Sequence, residues 1–277
     1  MFREVFFFIL PGMKPALFFK HEAADPYFNM AFDEWMLSRV LNEPGLVCLR
    51  LYRWRPGAIT FGYNQRQETA LDFSRVGDTP VIRRLTGGRA IYHDPSEYTY
   101  AVALNNAGLE NDKLVGSVSA TSHALAGALA HFLKKLGLKA DYVRQSAREN
   151  ARPEFFHKAP CFASRAKYEL VSENRKIIAS AQKRLGTSLL QHGSVKLNGV
   201  VSHPALDDGW LCPVSGKQTV VNKEFNEIAE IFCEAVASFL NLDLSAAENS
   251  PEELEKIKDM QILIKKNSLN PRRILNK

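Results

Sequence analysis

Two segments of the chain carry the apolar periodicity of long amphipathic helices, and they limit the possible folds more than any other feature. In residues 117–136 the apolar side chains recur at i, i+3, i+4 and i+7, and Gly137 follows at the position of a helix-ending glycine. Residues 222–240 show the same spacing. Short runs rich in β-branched and aromatic residues, which are typical of strands, lie before and between these segments. The pattern predicts an α+β fold in which central mixed or antiparallel sheets are flanked by helices.

Further elements are predicted nearer the ends of the chain. Asn29 is a suitable N-cap for a helix that runs to about Leu41, and residues 251–264 are one more candidate helix. A strand-like run also follows Met13, a candidate start, so we interpret residues 1–12 as an over-extended start or a loose tail. The other predicted strands cover residues 46–52, 58–61, 81–84, 98–104, 168–171, 176–181 and 188–195.

Composition excludes several classes of protein. With 277 residues, 45 % of them hydrophobic, the chain has enough apolar material for a core and is neither disordered nor collagen-like. A net charge of +6, without a dense basic stripe, predicts no nucleic-acid partner. Residues 5–10 are apolar but too few to span a bilayer, and they lack the flanks of a signal peptide. We therefore expect a cytoplasmic protein with no membrane partner.

The cysteines and histidines are scattered along the chain. The four cysteines form no C-x-x-C motif, as suits a reducing compartment. The seven histidines show neither H-E-x-x-H nor H-x-H spacing. The sequence therefore predicts no metal site.

The first segment that could carry chemistry is residues 83–94, RRLTGGRAIYHD. Its adjacent glycines, Gly87 and Gly88, follow a predicted strand, where the backbone could approach a ligand closely and present N–H groups. Arginines on both sides could hold an anionic group. The spacing is not that of a standard phosphate loop, and a glycine hairpin with solvated arginines is the alternative interpretation.

The second candidate pairs Cys161 with Lys176. Cys161 follows a proline in an irregular segment, where its thiol could face a cleft. A turn predicted at residues 172–174 returns the strand that begins at Lys176 toward the cysteine. A nearby ammonium lowers the pKa of a thiol and so favours the nucleophilic thiolate. The alternative is that Cys161 is a small buried hydrophobic residue.

Two histidines are further candidates. His157 is near Cys161 in sequence and could act as its base, although its polar surroundings also suit a solvated surface histidine. His192 lies near the end of a predicted strand, where it would either hydrogen-bond a ligand or cap the sheet. The residues alone leave both alternatives open.

Three stretches resemble the biotin and lipoate protein ligase superfamily. Residues 51–63 resemble its early ligand-lining strands, residues 83–94 its R-R-x-[ST]-G-G segment, and residues 174–182 its G-R-K-[IV]-x-[GA]-S-A segment. With the flanking helices, the resemblance spans roughly residues 25–245. The order T-G-G-R-A, P-C-F, Y-E-L, S-A-Q and L-Q-H-G-S is similar to the octanoyltransferases of this superfamily that load the glycine cleavage H protein.

This resemblance implies a biotin/lipoate protein ligase catalytic-domain fold for residues 14–245, between a tail at 1–13 and a helix with a basic tail at 246–277. It implies transfer of an octanoyl group from octanoyl-acyl carrier protein to a lysine of a lipoyl-domain protein such as glycine cleavage H protein, without a cofactor. The residue corresponding to Cys161 forms the acyl-thioester, and that corresponding to Lys176 lowers the thiol pKa. The implied substrate-binding residues are Gly62, Arg83, Arg84, Thr86, Gly87, Gly88, Arg89, His93, Ser180 and His192.

The chain also departs from the family pattern. Residues 93–100 are one residue longer than the usual H-D-x-E-[LV]-T-Y, and Asn174 stands where a glycine is usual. These departures leave the acyl-chain preference and the acceptor open. The alternative functions are an ATP-dependent lipoate-protein ligase that forms a lipoyl-adenylate, an octanoyl amidotransferase between lipoyl domains, and a non-catalytic acyl-binding protein.

Overall fold

The computed structural model of the protein describes residues 13–66, 70–107, 109, 113–142, 169–172, 175–198, 201–206 and 221–268. The long helices in these ranges are α1 (Pro26–Leu41), α2 (Val118–Lys135), α3 (Phe225–Leu240) and α4 (Pro251–Asn267), and Phe73–Arg75 form a single turn of 3-10 helix. The strands are β1 (Lys14–Ala24), β2 (Val47–Trp54), β3 (Ala58–Phe61), β4 (Val81–Arg83), β5 (Ile91–His93), β6 (Tyr98–Asn105), β7 (Asp141–Tyr142), β8 (Leu170–Ser172), β9 (Arg175–Leu185), β10 (Ser188–Val195) and β11 (Leu242–Ala246).

The strands form two sheets. The large sheet has eight strands in the order β11-β1-β2-β6-β10-β9-β8-β7, and the small sheet has three in the order β4-β3-β5. In the large sheet β1 runs parallel to both β11 and β2, and the remaining pairs are antiparallel. In the small sheet β3 is parallel to β4 and antiparallel to β5. The predicted α+β fold, with mixed sheets flanked by helices, is confirmed.

Alternate residues of the large sheet face two different cores, as the period of a strand requires. In β2, Leu49 and Leu51 belong to the core formed with α2 and α3. Cys48 and Tyr52 belong to a second core, which is formed with α1 and α4. Because both faces are covered, a charged side chain within these strands, such as Arg50, must be paired inside the protein.

The prediction that Asn29 caps the first helix is wrong. Helix α1 begins at Pro26, and the Asp25 carboxylate accepts hydrogen bonds from the backbone N–H groups of Tyr27 and Phe28 at 3.0 and 3.1 Å. An aspartate cap followed by a proline in the first turn is a favourable helix start, because proline has no N–H to satisfy there. Asn29 is instead fully buried within the helix.

The other helices lie close to their predicted positions. Ser117 caps α2 by accepting a hydrogen bond from Ala120 N at 3.2 Å, and Gly137 follows the helix with φ of +79°. Helix α4 begins with a capping box between Ser250 and Glu253, and it packs on α1, where Ile257 is fully buried. None of the helices described is long and apolar enough to cross a lipid bilayer.

The sequence does not predict β5, β7 or β11. These strands have three, two and five residues. Strand β9 also continues to Leu185, beyond the predicted end at residue 181. Strand β11 follows Asn241, whose left-handed backbone (φ of +55°) ends α3 and turns the chain toward β1.

Candidate active site

A cavity that is open to solvent, about 430 Å³ with its mouth included, is lined by residues from both sheets and from α1. Much of its wall is apolar, with side chains such as Met30, Trp54 and Ile91. Five of the substrate-binding residues predicted from the sequence line it, namely Arg84, Gly88, His93, Ser180 and His192. The other predicted substrate-binding residues lie outside the lining of this cavity, namely Gly62, Arg83, Thr86, Gly87 and Arg89.

Arg84 shapes the glycine loop, which we define as residues 85–90. Its guanidinium is buried and donates to the carbonyl of Gly87 from Nε at 3.1 Å and from Nη2 at 2.6 Å. Nη2 also donates to the carbonyl of Arg89 at 2.9 Å. Gly88, between these two residues, has φ of +93°, which favours glycine. Several donors of Arg84 are therefore used by the loop's own carbonyl groups.

Gly62 and Arg83 support the glycine loop from the small sheet. A Cβ at Gly62 would collide with the carbonyl oxygen of Gly88, so only a glycine lets the two segments approach this closely. The Arg83 guanidinium donates to the carbonyls of Tyr63 and Gln65 at 2.6 and 3.0 Å and lies over the ring of Phe61. Both residues thus build the wall behind the loop.

His192 connects the glycine loop to α1. Its Nδ1 lies 2.9 Å from Asp33 Oδ2, and its Nε2 lies 2.7 Å from Thr86 Oγ1. Asp33 and Thr86 are almost completely buried, and His192 is 6 % exposed where it meets the cavity. Of the two alternatives for His192, ligand contact or sheet capping, its place in the cavity wall is compatible with ligand contact.

Arg50 neutralises the Asp33 carboxylate in the interior. Its Nη1 donates to Asp33 Oδ1 at 2.9 Å, and its Nη2 donates to Asn29 Oδ1 at 2.6 Å. Its Nε donates to His21 Nδ1 at 3.1 Å, and the Tyr52 hydroxyl donates to Asp33 Oδ2 at 2.9 Å. This network satisfies a fully buried ion pair on most of its polar atoms, as burial of charge requires.

His93 belongs to a second buried polar cluster. Its Nδ1 lies 2.5 Å from Glu97 Oε1 and its Nε2 lies 2.8 Å from Thr60 Oγ1, while its ring stacks on Trp54 with centroids 4.1 Å apart. Burial lowers the pKa of His93, so the neutral imidazole is favoured. Burial alone would raise the pKa of Glu97, but Lys196 and His93 outweigh it and hold that pKa at about 2.

Lys176 pairs with Glu169. The Lys176 Nζ lies 2.6 Å from Glu169 Oε1, and their side chains are 3 % and 11 % exposed. Glu169 lines a second cavity, which is also open to solvent, measures about 470 Å³ with its mouth included, and reaches Ser180. The Ser180 hydroxyl lies 2.7 Å from the Tyr100 hydroxyl.

Cys161 and His157 lie outside the described residues, so their predicted roles stay predictions.

The structure describes two of the four cysteines, and both are poor sources of thiolate. Burial raises the pKa of Cys48 to about 12 and that of Cys233 to about 11. Cys212 lies outside the described residues. Among the residues described, no group of three or more His, Cys, Asp or Glu side chains is placed to hold a metal ion.

The sequence analysis missed Asp33 and Arg50 as site residues. Asp33 lies four residues after the buried Asn29 and four before the buried Leu37, which puts a carboxylate on the apolar face of α1. Arg50 lies between the buried residues Leu49 and Leu51 in β2, on the same face of the strand as the buried Cys48 and Tyr52. Each of the two charged residues thus stands on a face of its helix or strand that is otherwise buried. Two residues of opposite charge at such positions are expected to pair, and this is the sequence signal that could have predicted the ion pair.

The family model of the lipoyl protein ligase A/B catalytic domain matches residues 25–206 of the chain. Octanoyltransferase LipM of Moorella thermoacetica is 38 % identical over 176 residues, which are 63 % of this chain and 62 % of that protein. Octanoyltransferase LipM of Macrococcus caseolyticus is 34 % identical over 65 % of this chain and 64 % of its own. The matched part thus spans less than two thirds of each of these two relatives.

Solved structures show the same fold at low sequence identity. The Thermoplasma acidophilum protein Ta0514, with bound lipoic acid, superposes with a TM-score of 0.68 at 18 % identity and covers 90 % of this chain and 94 % of its own. Lipoate-protein ligase A bound with ATP gives a TM-score of 0.66 at 18 % identity, with 90 % and 95 % covered.

Proposed function

The chain belongs to the lipoyl protein ligase A/B catalytic domain family, and from this premise we propose that it transfers an octanoyl group from octanoyl-acyl carrier protein to a lysine of a lipoyl-domain protein. The observation that carries the proposal is the similarity to octanoyltransferases LipM, which are 34–38 % identical over 63–65 % of this chain. The family match over residues 25–206 includes every residue that lines the cavity. The largely apolar cavity wall suits an acyl chain, because burying methylene groups is favourable.

In the proposed mechanism the Cys161 thiolate attacks the carbonyl carbon of the octanoyl thioester. The bond from that carbon to the carrier sulfur breaks, the carrier leaves as a thiolate that takes up a proton, and octanoyl-Cys161 remains. The neutral amine of the acceptor lysine then attacks the new thioester. An amide forms, the amine loses a proton, and the Cys161 thiolate is released. Since a thioester is exchanged for a thioester in the first step, neither ATP nor a metal is needed.

Lys176 supplies positive charge in this proposal. Its ammonium, paired with Glu169, would lower the pKa of a thiol placed beside it. The high thiol pKa values of Cys48 and Cys233 support a different cysteine as the nucleophile. We further propose glycine cleavage H protein as the acceptor and the cytoplasm as the compartment, where the thiols stay reduced.

The test is the intact mass of the protein after incubation with octanoyl-acyl carrier protein in the absence of ATP. We expect a gain of one octanoyl group that is removed by hydroxylamine, is absent in Cys161→Ala and is retained in Cys212→Ala and Cys233→Ala. Addition of apo H protein should then move the group to the H protein. An adduct that survives in Cys161→Ala refutes the nucleophile.

A second arm supplies free octanoate or lipoate with ATP. Modification of the acceptor under these conditions alone, with no adduct from the carrier, would make the protein an ATP-dependent ligase.

A separate experiment tests Lys176. In Lys176→Ala, the pH profile of the rate at which iodoacetamide reacts with Cys161 should shift to higher pH. An unchanged pH profile would remove Lys176 from the mechanism.

A further inference from the structure

One chain of hydrogen bonds crosses from α1 through β10 to the glycine loop. It runs from Asp33 on α1 to His192 on β10 at 2.9 Å, and from His192 to Thr86 in the loop at 2.7 Å. The contacts join residues 159 and 106 positions apart in sequence. The proposed mechanism of octanoyl transfer assigns no step to any of these three residues.

The surroundings of Asp33 fix the direction of these bonds. Its carboxylate accepts from Arg50 Nη1 and from the Tyr52 hydroxyl, both at 2.9 Å. An ionised carboxylate only accepts, so Nδ1 of His192 carries the proton that it donates to Asp33, and we take the ring in its Nδ1–H tautomer. Nε2 is then an acceptor, and the Thr86 hydroxyl donates to it.

The Thr86 hydroxyl is placed to hold the loop and not to attack a substrate. Its side chain is fully buried and does not line the cavity. On its other side the loop is bound to the small sheet, where Tyr63 N donates to the Thr86 carbonyl at 2.8 Å. The bond to His192 therefore ties the loop to the large sheet across the wall of the cavity.

We propose that His192 is a positioning residue that tethers the glycine loop to the large sheet and so fixes the wall of the acyl cavity. That the cavity holds an acyl chain rests on the proposed function, but the tether itself does not. Loss of the Thr86 hydroxyl frees one side of the loop without removing any group that lines the cavity. The loop carries Gly88, which does line it.

The variant that tests the tether is Thr86→Val, which has the same shape and no hydroxyl. We expect amide hydrogen exchange in residues 85–90 to rise roughly three- to tenfold, as for one net hydrogen bond lost. Thr86→Ser keeps the hydroxyl and should exchange like the unmodified protein. Thr79→Val is the matched control, because it removes a Thr–His hydrogen bond to His203 (3.0 Å) away from the loop.

A second measurement determines the tautomer of His192 in the unmodified protein. Imidazole nitrogen spectra of the ¹⁵N-labelled protein, with the His192 signal assigned by its loss in His192→Asn, should show Nδ1 protonated and Nε2 bare. A proton on Nε2, or exchange in residues 85–90 that is unchanged in Thr86→Val, overturns the proposal.

Activity separates the tether from the proposed function. If octanoyl transfer is observed, Thr86→Val should raise the KM for the octanoyl donor three- to tenfold with little change in kcat, and Thr86→Ser should restore it, because the wall contributes binding common to ground and transition states. A fall in kcat with an unchanged KM overturns the role in the acyl cavity. If no transfer is observed while the exchange and spectra are as expected, the tether stands and the proposed function fails.

Discussion

Lys176 and Glu169 form a nearly buried ion pair, with Nζ and Oε1 2.6 Å apart at the paired strands β8 and β9. The pair joins the lysine of the proposed mechanism to the second cavity, which Glu169 lines. A carboxylate this close restricts where the Lys176 ammonium can point.

We expect Glu169→Gln to destabilise the protein by about 3 kcal/mol, because it leaves a buried ammonium without its counter-ion. The double variant Glu169→Gln/Lys176→Met should regain most of that free energy of unfolding. Urea unfolding of the two single variants and the double variant measures the coupling. Additive effects would show that the pair contributes nothing to stability.

Gly62 and Gly87 offer a matched pair of substitutions in the glycine-loop region. Gly62→Ala places a methyl group against the Gly88 carbonyl and should cost about 1–3 kcal/mol and move the loop. A Cβ at Gly87 meets no atom within 4 Å, so Gly87→Ala should change the free energy of unfolding by less than about 1 kcal/mol. Thermal unfolding and octanoyl transfer of both variants provide the check. Equal stability of the two would contradict the close packing of Gly62.

Arg50 is held by hydrogen bonds that need the planar, several-donor guanidinium, which a lysine side chain lacks. Its guanidinium bonds Asp33, Asn29 and His21 in the interior, whereas an ammonium cannot reach all three partners in that plane. Arg50→Lys should therefore cost on the order of 3 kcal/mol in the free energy of unfolding. Arg53→Lys is the control, because the partly exposed Arg53 guanidinium donates hydrogen bonds only to the Pro95 carbonyl among the described residues, and its other contact is with the face of the Tyr98 ring. Similar losses in the two variants would contradict this account.

His21 should make the fold sensitive to acid. Burial, and next the charge of Arg50, lower the pKa of His21 from 6.5 to about 3. Because the folded pKa lies below the unfolded one, the stability is fully present above pH 6.5 and is lost as the pH falls toward 3, by on the order of a few kcal/mol. His21→Asn keeps an acceptor for Arg50 and cannot titrate. Urea unfolding between pH 7 and 4 should show a shallower decline for this variant, and an identical decline would exclude His21 as the cause.

The sequence predicted correctly those helices and strands that show a strong apolar periodicity or end at a clear terminating residue. The apolar face of α2 and the glycine after it are visible in the sequence, and β3 and β10 lie at the predicted residues. The start of α1 was misplaced because both Asp25 and Asn29 are good caps, and only the packing of Asn29 against Arg50 decides between them.

The site was harder to predict, because its residues meet only through the tertiary fold. The resemblance indicated His192 and Thr86 separately, and the structure shows that they touch. The partner of Lys176 was not predicted, since Glu169 reaches it across a register shift between β8 and β9. In the sequence Asp33 resembles any acidic residue near the start of a helix. Only the tertiary fold brings Arg50 of the large sheet into contact with it.

The parallel pairing of β1 with β11 has a consequence for the chain during its synthesis. Residues 14–18 pair with residues 242–246, so this edge of β1 stays open until the chain has been translated as far as residue 246. An open edge is a template for pairing with other nascent chains. Early termination before Leu242 should therefore yield products that aggregate, even though the cavity and its glycine loop lie entirely within the part already made.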